Sequence, residues 1–319
     1  MSTILDVRNL TTHYQTVRGW VRATEDVSFT VERGQALGIA GESGCGKTTV
    51  ALSLLKILPR GGRIRRGSII FDGTDLVPLS DGEMRKIRWK GISIVFQGAM
   101  NALNPVFKVG DQIIEAITIH DPSADKRMAL DRAKALLELV GVEPNRVDNY
   151  PHEFSGGMRQ RALIAMALAA DPQLLIADEP GTALDVIVQA QTLKLMRELK
   201  DRLGLSMVMI SHDLSIIAET CEKVAIMYAG RIVEYGDANA IFKEPLHPYT
   251  QGLVKAFPAI KGERTRLTSI PGNPPDLLDP PSGCRFNPRC PYVMDVCRKE
   301  VPALEKAGKG DHLVACHLY

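Results

Sequence analysis

The chain reads as an α/β protein: a parallel sheet with covering helices, preceded by an antiparallel β segment, interrupted by a helical insertion and followed by a loop-rich tail. Three observations predict this. Strand-like and helix-like segments alternate through much of the sequence, the pattern of a parallel sheet whose crossovers are helices. A glycine-rich turn, Gly41-Glu42-Ser43-Gly44-Cys45-Gly46-Lys47-Thr48, stands directly between an apolar run and a helical one. The apolar run Leu174-Leu175-Ile176-Ala177 ends in two acids, Asp178 and Glu179, at the strand end where α/β sheets open their ligand crevice.

Taken in order, residues 4–7 and 27–31 alternate in the period of two expected of strands, and Glu32-Arg33-Gly34 makes a turn, giving an antiparallel start. Residues 36–40 form a short apolar strand, and residues 49–58 have helical spacing until Pro59 stops it. Residues 67–73 and 92–97 are strand-like. From about residue 101 to 150 the pattern turns helical, with residues 129–140 ending at Gly141 as a helix C-cap. A buried strand over 174–178, a helix over 186–203 and a strand over 206–211 follow, then a hairpin from 224–228 and 230–236. Met158, Met166, Met207 and Met209 are expected in the core. Past about residue 246 proline density rises, as in Pro271-Gly272-Asn273-Pro274-Pro275 and Pro280-Pro281, so the tail is poorly able to make its own core. No internal repeat is visible.

At 319 residues, 45% hydrophobic and 24% charged, the chain suits one large or two medium soluble domains. A net charge of +2 supplies no bulk attraction to nucleic acid. The first residues lack the basic and apolar regions of a signal peptide, and no apolar stretch approaches the roughly 20 residues needed to span a bilayer, so a cytoplasmic location is expected. Cys45 and Cys221 lie in the body, whereas Cys284, Cys290, Cys297 and Cys316 crowd into the last 36 residues. In a reducing compartment such clustering suggests a metal before it suggests disulfides.

The glycine-rich turn has the composition of a phosphate cradle. Its glycines allow positive φ and gather N–H groups around a β-phosphate, while the helix N-terminus adds roughly half a positive charge. Ser43, Gly44, Cys45, Gly46, Lys47, Thr48 and Thr49 are the expected nucleotide contacts, with Lys47 reaching the β- and γ-phosphates and Thr48 ligating Mg²⁺. Asp178 is expected to hold Mg²⁺ directly or through water, and Glu179 to polarise an attacking water as general base. An acidic helix N-cap would use the same residue types. A second glycine-containing helix start, Phe154-Ser155-Gly156-Gly157-Met158-Arg159-Gln160-Arg161, precedes an apolar helical run and forms a second anion-binding end.

With Gln97 after a strand, Thr182-Ala183-Leu184-Asp185 beyond the acids and His212 after the next strand, this order resembles the ATP-binding subunit of ATP-binding-cassette (ABC) transporters over nearly the whole chain. The resemblance implies a P-loop ATPase core with an antiparallel β subdomain in residues 1–97 and 165–245. It further implies a helical signature subdomain in 98–164 and an extension in 246–319. Carried over, Lys47 and Thr48 match the P-loop, and Asp178 and Glu179 match the acidic strand end. Gln97 matches the metal-binding and coupling glutamine, and His212 the switch histidine that contacts the γ-phosphate. Ser155, Gly156 and Gly157 match the signature, and Asp185 the loop after the acids. Thr48, Gln97 and Asp178 are thus the implied Mg²⁺ set, and Glu179 and His212 the catalytic pair. Tyr14 resembles the aromatic residue that stacks on adenine, with Trp20 as its competitor. Such subunits sandwich two ATP molecules between head-to-tail domains, so a lone chain is expected to hydrolyse poorly. Phe154 and Met158 stand where Leu and Gln are commoner in the signature, a change of little expected consequence. Gly181 replaces the more usual Thr or Ser and is expected to loosen the turn into Asp185.

The tail segment His247-Pro248-Tyr249-Thr250-Gln251-Gly252-Leu253 and the four cysteines resemble the C-terminal extension of ATPases serving oligopeptide and dipeptide importers, a branch that also includes nickel and oligosaccharide importers. Four thiols spaced Cys-x5-Cys-x6-Cys-x18-Cys suit Zn²⁺ or a [4Fe–4S] cluster, and the resemblance favours the cluster. Four free cysteines are the third reading, disfavoured because a Pro-rich tail without a core gains most from a metal staple. The implied partners are a second ABC ATPase, a paralogue in the peptide importers, two transmembrane permease subunits touching residues around 98–150, and an extracytoplasmic solute-binding protein. No nucleic acid is implied, and the implied place is the cytoplasmic face of the membrane. A soluble cassette ATPase acting on DNA or ribosomes usually shows a long coiled coil or tandem cassettes, and this chain has neither. A metal-binding regulator with a merely structural nucleotide site would require damaged catalytic residues, against which Glu179 and His212 stand.

Overall fold

The structure is a computed structural model that describes residues 2–96, 98, 102–181, 185–256, 270–307 and 310–319. They fall into two compact units, one of residues 1–78 with 209–319 and one of residues 79–208.

The first unit opens with two 14-residue strands, β1 (Thr3–Thr16) and β2 (Gly19–Glu32), followed by β3 (Ala36–Ala40), α1 (Lys47–Leu54), β4 (Gly62–Phe71) and β5 (Thr74–Asp75). The antiparallel start is a four-stranded sheet in the order β2-β1-β4-β5. Bulges interrupt the β1–β2 ladder at several points, bending strands too long to stay flat. Helix α1 stops at Leu54, before the point at which Pro59 would end it. Lys56 adopts φ 50, and the N–H groups of Ile57 and Lys56 return to the carbonyls of Leu52 and Ser53, closing a Schellman motif without glycine.

In the second unit α2 (Asp81–Ile87) begins with a Ser80–Glu83 capping box, followed by β6 (Ile92–Val95), α3 (Val109–His120), α4 (Lys126–Leu139), α5 (Gly156–Ala167), β7 (Leu174–Asp178) and α6 (Val186–Leu203). β6 and β7 pair in parallel, and every residue of β7 is buried. The helical insertion is present as α3 and α4, the latter capped by Asp125 and terminated at Gly141 with φ 74. β8 (Ser206–Ser211) leads the chain back to the first unit.

There follow α7 (Leu214–Thr220), β9 (Lys223–Tyr228), β10 (Arg231–Asp237), α8 (Ala238–Lys243), α9 (Pro248–Ala256), β11 (Glu305–Lys306) and β12 (Leu313–Val314). β3 pairs in parallel with β9, the expected β9–β10 hairpin forms, and the tail strands β12 and β11 add antiparallel to β10. The predicted α/β class with an antiparallel β segment is therefore the observed one. The tail is loop-rich as expected, and it borrows a core. Tyr249 and Phe286 are buried against Tyr228, with ring centroids 4.6 and 5.1 Å away. The methionine expectation is half corrected: Met207 and Met209 are core, whereas Met158 and Met166 are only half-buried on helix α5.

Candidate nucleotide-binding site

The phosphate loop leaves β3 at Gly41 and enters α1 at Lys47, so the strand-turn-helix context that the sequence implied is present. Two of its glycines, Gly41 and Gly46, are sterically required. A Cβ on Gly41 would lie 2.1 Å from the Met227 carbonyl oxygen, and one on Gly46, at φ 108, would lie 2.3 Å from that of Ala23. Gly46 caps α1 without a side-chain acceptor, so the first turn presents backbone N–H groups, the anion-binding end of a helix. The Lys47 side chain is drawn in along the loop, its Nζ donating to the Gly41 and Glu42 carbonyls at 2.7 and 3.0 Å. That fold-back gives a buried cation hydrogen-bond partners and fixes where its charge stands. Cys45 is buried beside it, and burial pushes its thiol pKa up, making it a packing residue within the loop.

Of the two adenine candidates, Tyr14 donates from its hydroxyl to Thr49 Oγ1 at 3.4 Å and packs over Gly62. Trp20 carries the Arg65 guanidinium 5.0 Å from its ring centroid. His212 is exposed immediately after β8, and Asp213 caps α7 by accepting from the Ser215 N–H.

In the second unit, Asp178 is 2% exposed at the end of β7, a place where a carboxylate is costly without a partner charge or metal. Glu179 follows at φ 48, a left-handed conformation that non-glycine residues seldom adopt and that persists where the surroundings enforce it, commonly at functional sites. Gln97 and Thr182–Leu184 lie outside the described residues. Asp185 is the N-cap of α6, accepting from the Val188 N–H at 2.9 Å. Ser155 is exposed as the N-cap of α5, where it accepts from the Met158 N–H, while Phe154 is buried and anchors the turn. A Cβ on Gly157 would meet Val188 Cγ1 at 2.7 Å, so the signature glycine lets α5 approach α6 closely.

The four tail cysteines are brought near one another. Burial pushes the Cys284 thiol up to about 11, and the charges of Cys297, Cys316 and Cys290 add to the rise. Burial also raises Cys290 and Cys316, while the backbone amides of Phe286, Tyr292 and Leu318, each two residues beyond its cysteine, stabilise the thiolates of Cys284, Cys290 and Cys316. The Cys284 N–H also donates to the Cys297 carbonyl at 2.8 Å. Among the described residues, no group of three or more His, Cys, Asp or Glu side chains closes on a metal position. The donor set suits a soft metal; the spacing of the sulfurs in this structure does not close around one.

Sequence reasoning missed the residues of the tail that touch the phosphate loop. Arg289 forms a bidentate pair with Glu42 at 2.7 and 3.0 Å, and the Glu42 N–H donates to the Tyr249 hydroxyl at 2.9 Å. Arg285 bonds Glu25 and the Ala229 carbonyl, and the neighbouring Gly230 N–H donates to the Cys45 carbonyl at 2.8 Å. The only signals available beforehand were the His-Pro-Tyr sequence and the position of Arg289 beside Cys290.

Comparison with known proteins agrees with this geometry. The family described as ABC transporter matches residues 24–182, and the oligopeptide/dipeptide transporter C-terminal region matches residues 233–297. A probable peptide ABC transporter ATP-binding protein from Sinorhizobium fredii is 48% identical over 98% of this chain and 94% of its own length. The oligopeptide transport ATP-binding protein OppD of Haemophilus influenzae is 47% identical over 93% of this chain and 92% of its own. Among solved structures, the dimeric bacterial ABC transporter cassette MJ0796 is 25% identical with a TM-score of 0.65, covering 73% of this chain and 98% of that one. A phosphate loop folded as an anion cradle, a buried acid ending β7 and these likenesses across both regions have one explanation: the chain belongs to the ATP-binding subunits of ABC transporters and is an ABC-type ATPase.

Proposed function

We propose that this subunit hydrolyses ATP to drive uptake of dipeptides and oligopeptides through a membrane importer. The observation that carries the proposal is the pairing of a complete phosphate cradle with a tail matching the oligopeptide/dipeptide transporter C-terminal region. In this reading Ser43 to Thr49 bind the phosphates, and Thr48, Gln97 and Asp178 hold Mg²⁺. The ion, when bound, offsets γ-phosphate charge; the buried carboxylate of Asp178 is a hard oxygen donor suited to it. Glu179 takes the proton of the attacking water, and His212 contacts the γ-phosphate. Exposed Ser155 with Gly156 and Gly157, and Asp185 at the start of α6, serve the nucleotide held by a second ATPase subunit, a paralogue in our reading. Tyr14 is our choice to stack on adenine, since Arg65 already covers a face of Trp20.

The functional division we propose is a core of 1–97 with 165–245, a helical signature subdomain of 98–164 and an extension of 246–319. No helix among the described residues is long and apolar enough to cross a membrane. In our reading the subunit works peripherally, at the cytoplasmic face, with two permease subunits and an extracytoplasmic binding protein. Importers of oligosaccharides or nickel would use the same machinery. The test is to purify the subunit with the products of its chromosomal neighbours and measure ATP turnover. Stimulation by peptide-loaded binding protein is the expected outcome, and stimulation by a sugar or nickel alone rejects the cargo.

We further propose that Cys284, Cys290, Cys297 and Cys316 hold a [4Fe–4S] cluster in preference to Zn²⁺, a reading that rests on the all-thiol donor set and on the backbone amides directed at three of the sulfurs. Anaerobically purified protein is then brown and contains four iron and four sulfide per chain, as expected of such a cluster. Colourless protein with stoichiometric zinc rejects the cluster.

A further inference from the structure

Glu42, inside the phosphate loop, is held by the C-terminal extension on two sides. Its carboxylate receives both terminal nitrogens of Arg289, whose side chain is 5% exposed. That guanidinium is itself fixed. Nε donates to the Pro271 carbonyl at 2.8 Å, Nη2 to that of Ile270 at 3.3 Å and Nη1 to the Tyr228 hydroxyl at 3.4 Å, and the group lies over the Tyr228 and Phe286 rings. The Glu42 N–H donates to Tyr249, whose own N–H is fixed by His247 Nδ1 at 3.0 Å. On its third side the Glu42 carbonyl accepts from Lys47 Nζ. One residue of the cradle therefore links the loop lysine to the tail, and an Arg–carboxylate fork sets angles as well as distance.

We propose that Arg289, with Tyr249, is a positioning residue for the phosphate loop: by fixing Glu42 it sets the place of the Lys47 ammonium and so couples docking of the C-terminal extension to nucleotide affinity. The influence of Arg289 runs through Glu42. Arg285 supports the same loop from the other side, through Ala229, Gly230 and Cys45. Linkage makes the coupling reciprocal, so bound nucleotide must hold the extension more firmly in place. The inference rests on the phosphate-loop assignment of Glu42 and Lys47.

The experiment measures ATP turnover of the assembled transporter and binding of a fluorescent ATP analogue to the full chain. Arg289→Ala is expected to raise KM for MgATP and the analogue Kd by about tenfold, within the 5- to 150-fold span of ordinary site coupling, while kcat changes by less than about twofold. Arg289→Lys restores part of the loss, because it keeps the charge without the fork. Glu42→Gln, altered on the loop side, reproduces the effect even where Arg289→Ala folds poorly. The double variant is no worse than either single one, since both remove the same link. In wild type, MgATP slows hydrogen exchange in residues 270–298, and in Arg289→Ala it does not. Lys47→Ala tests the underlying assignment: normal nucleotide binding by that variant removes the phosphate-loop reading itself. If Lys47→Ala loses nucleotide while Arg289→Ala and Glu42→Gln keep wild-type KM and Kd, the coupling proposal alone is overturned. A fall in melting temperature with unchanged KM has the same meaning.

Discussion

Glu234 fastens the extension to β10 within the first unit, and its removal gives the most demanding stability test. The side chain is fully buried on β10: its Oε2 accepts from the His247 N–H at 2.9 Å, and its Oε1 accepts from the Leu246 N–H at 2.8 Å and lies 2.7 Å from His312 Nε2. Glu234→Ala leaves two buried amides and an imidazole without this acceptor. A hydrogen bond to a charged group is worth about 1.5–3 kcal/mol, so three of them sum to roughly 5–9 kcal/mol. Bonds sharing one acceptor are not additive, and removing one partner of a buried charged set costs about 3–5 kcal/mol in comparable cases. That smaller figure is the expected loss. Because 1.4 kcal/mol is a factor of ten, opening of the extension should become at least about 100-fold more frequent. The assay is native-state proteolysis, following cleavage within residues 246–319 at protease concentrations where the rate tracks the open population. Glu234→Gln, which keeps one acceptor oxygen, should fall between the two. A change below tenfold in Glu234→Ala would show that the tail is held by its aromatic contacts and that this hub is incidental.

Other perturbations read different parts of the molecule. Burial lowers the His247 pKa to about 3, against about 6.5 when unfolded, so the folded state takes up fewer protons below the unfolded value. Its contribution to stability is therefore complete above pH 6.5 and declines by about 1.4 kcal/mol per pH unit as pH falls toward 3. His247→Asn, which retains an acceptor for the Tyr249 N–H, should flatten the fall in unfolding free energy between pH 6.5 and 4.5, and parallel curves for the two proteins would refute the assignment. Glu179→Gln should lower turnover of the assembled transporter by at least about 100-fold while nucleotide stays bound, because only the proton acceptor is lost. Undiminished turnover would remove Glu179 from the role of base.

Much of the local chemistry was legible in the sequence because it depends on neighbours along the chain. The Gly41–Thr48 turn, the acids ending β7 and the glycine-containing helix start at Ser155–Gly157 each show themselves within a dozen residues, through glycine spacing and strand-type apolar runs. The point at which α1 stops was not legible, because Lys56 takes up a left-handed conformation that composition assigns to glycine. The methionines of α5 were misjudged for a related reason: an apolar residue on a helix reveals its burial only when the opposing surface is known.

The sequence by itself determined an ABC-type ATPase, the glycine-rich turn between β3 and α1 and the presence of a cysteine-bearing extension, since each is written in short-range order. Only the tertiary structure decided that this extension reaches the cradle. Glu42 and Arg289 are separated by 247 positions, and nothing in spacing or periodicity relates them. Their pairing exists because Tyr228, Tyr249 and Phe286 bury one another and carry the guanidinium to the loop, a consequence of packing that no local pattern encodes.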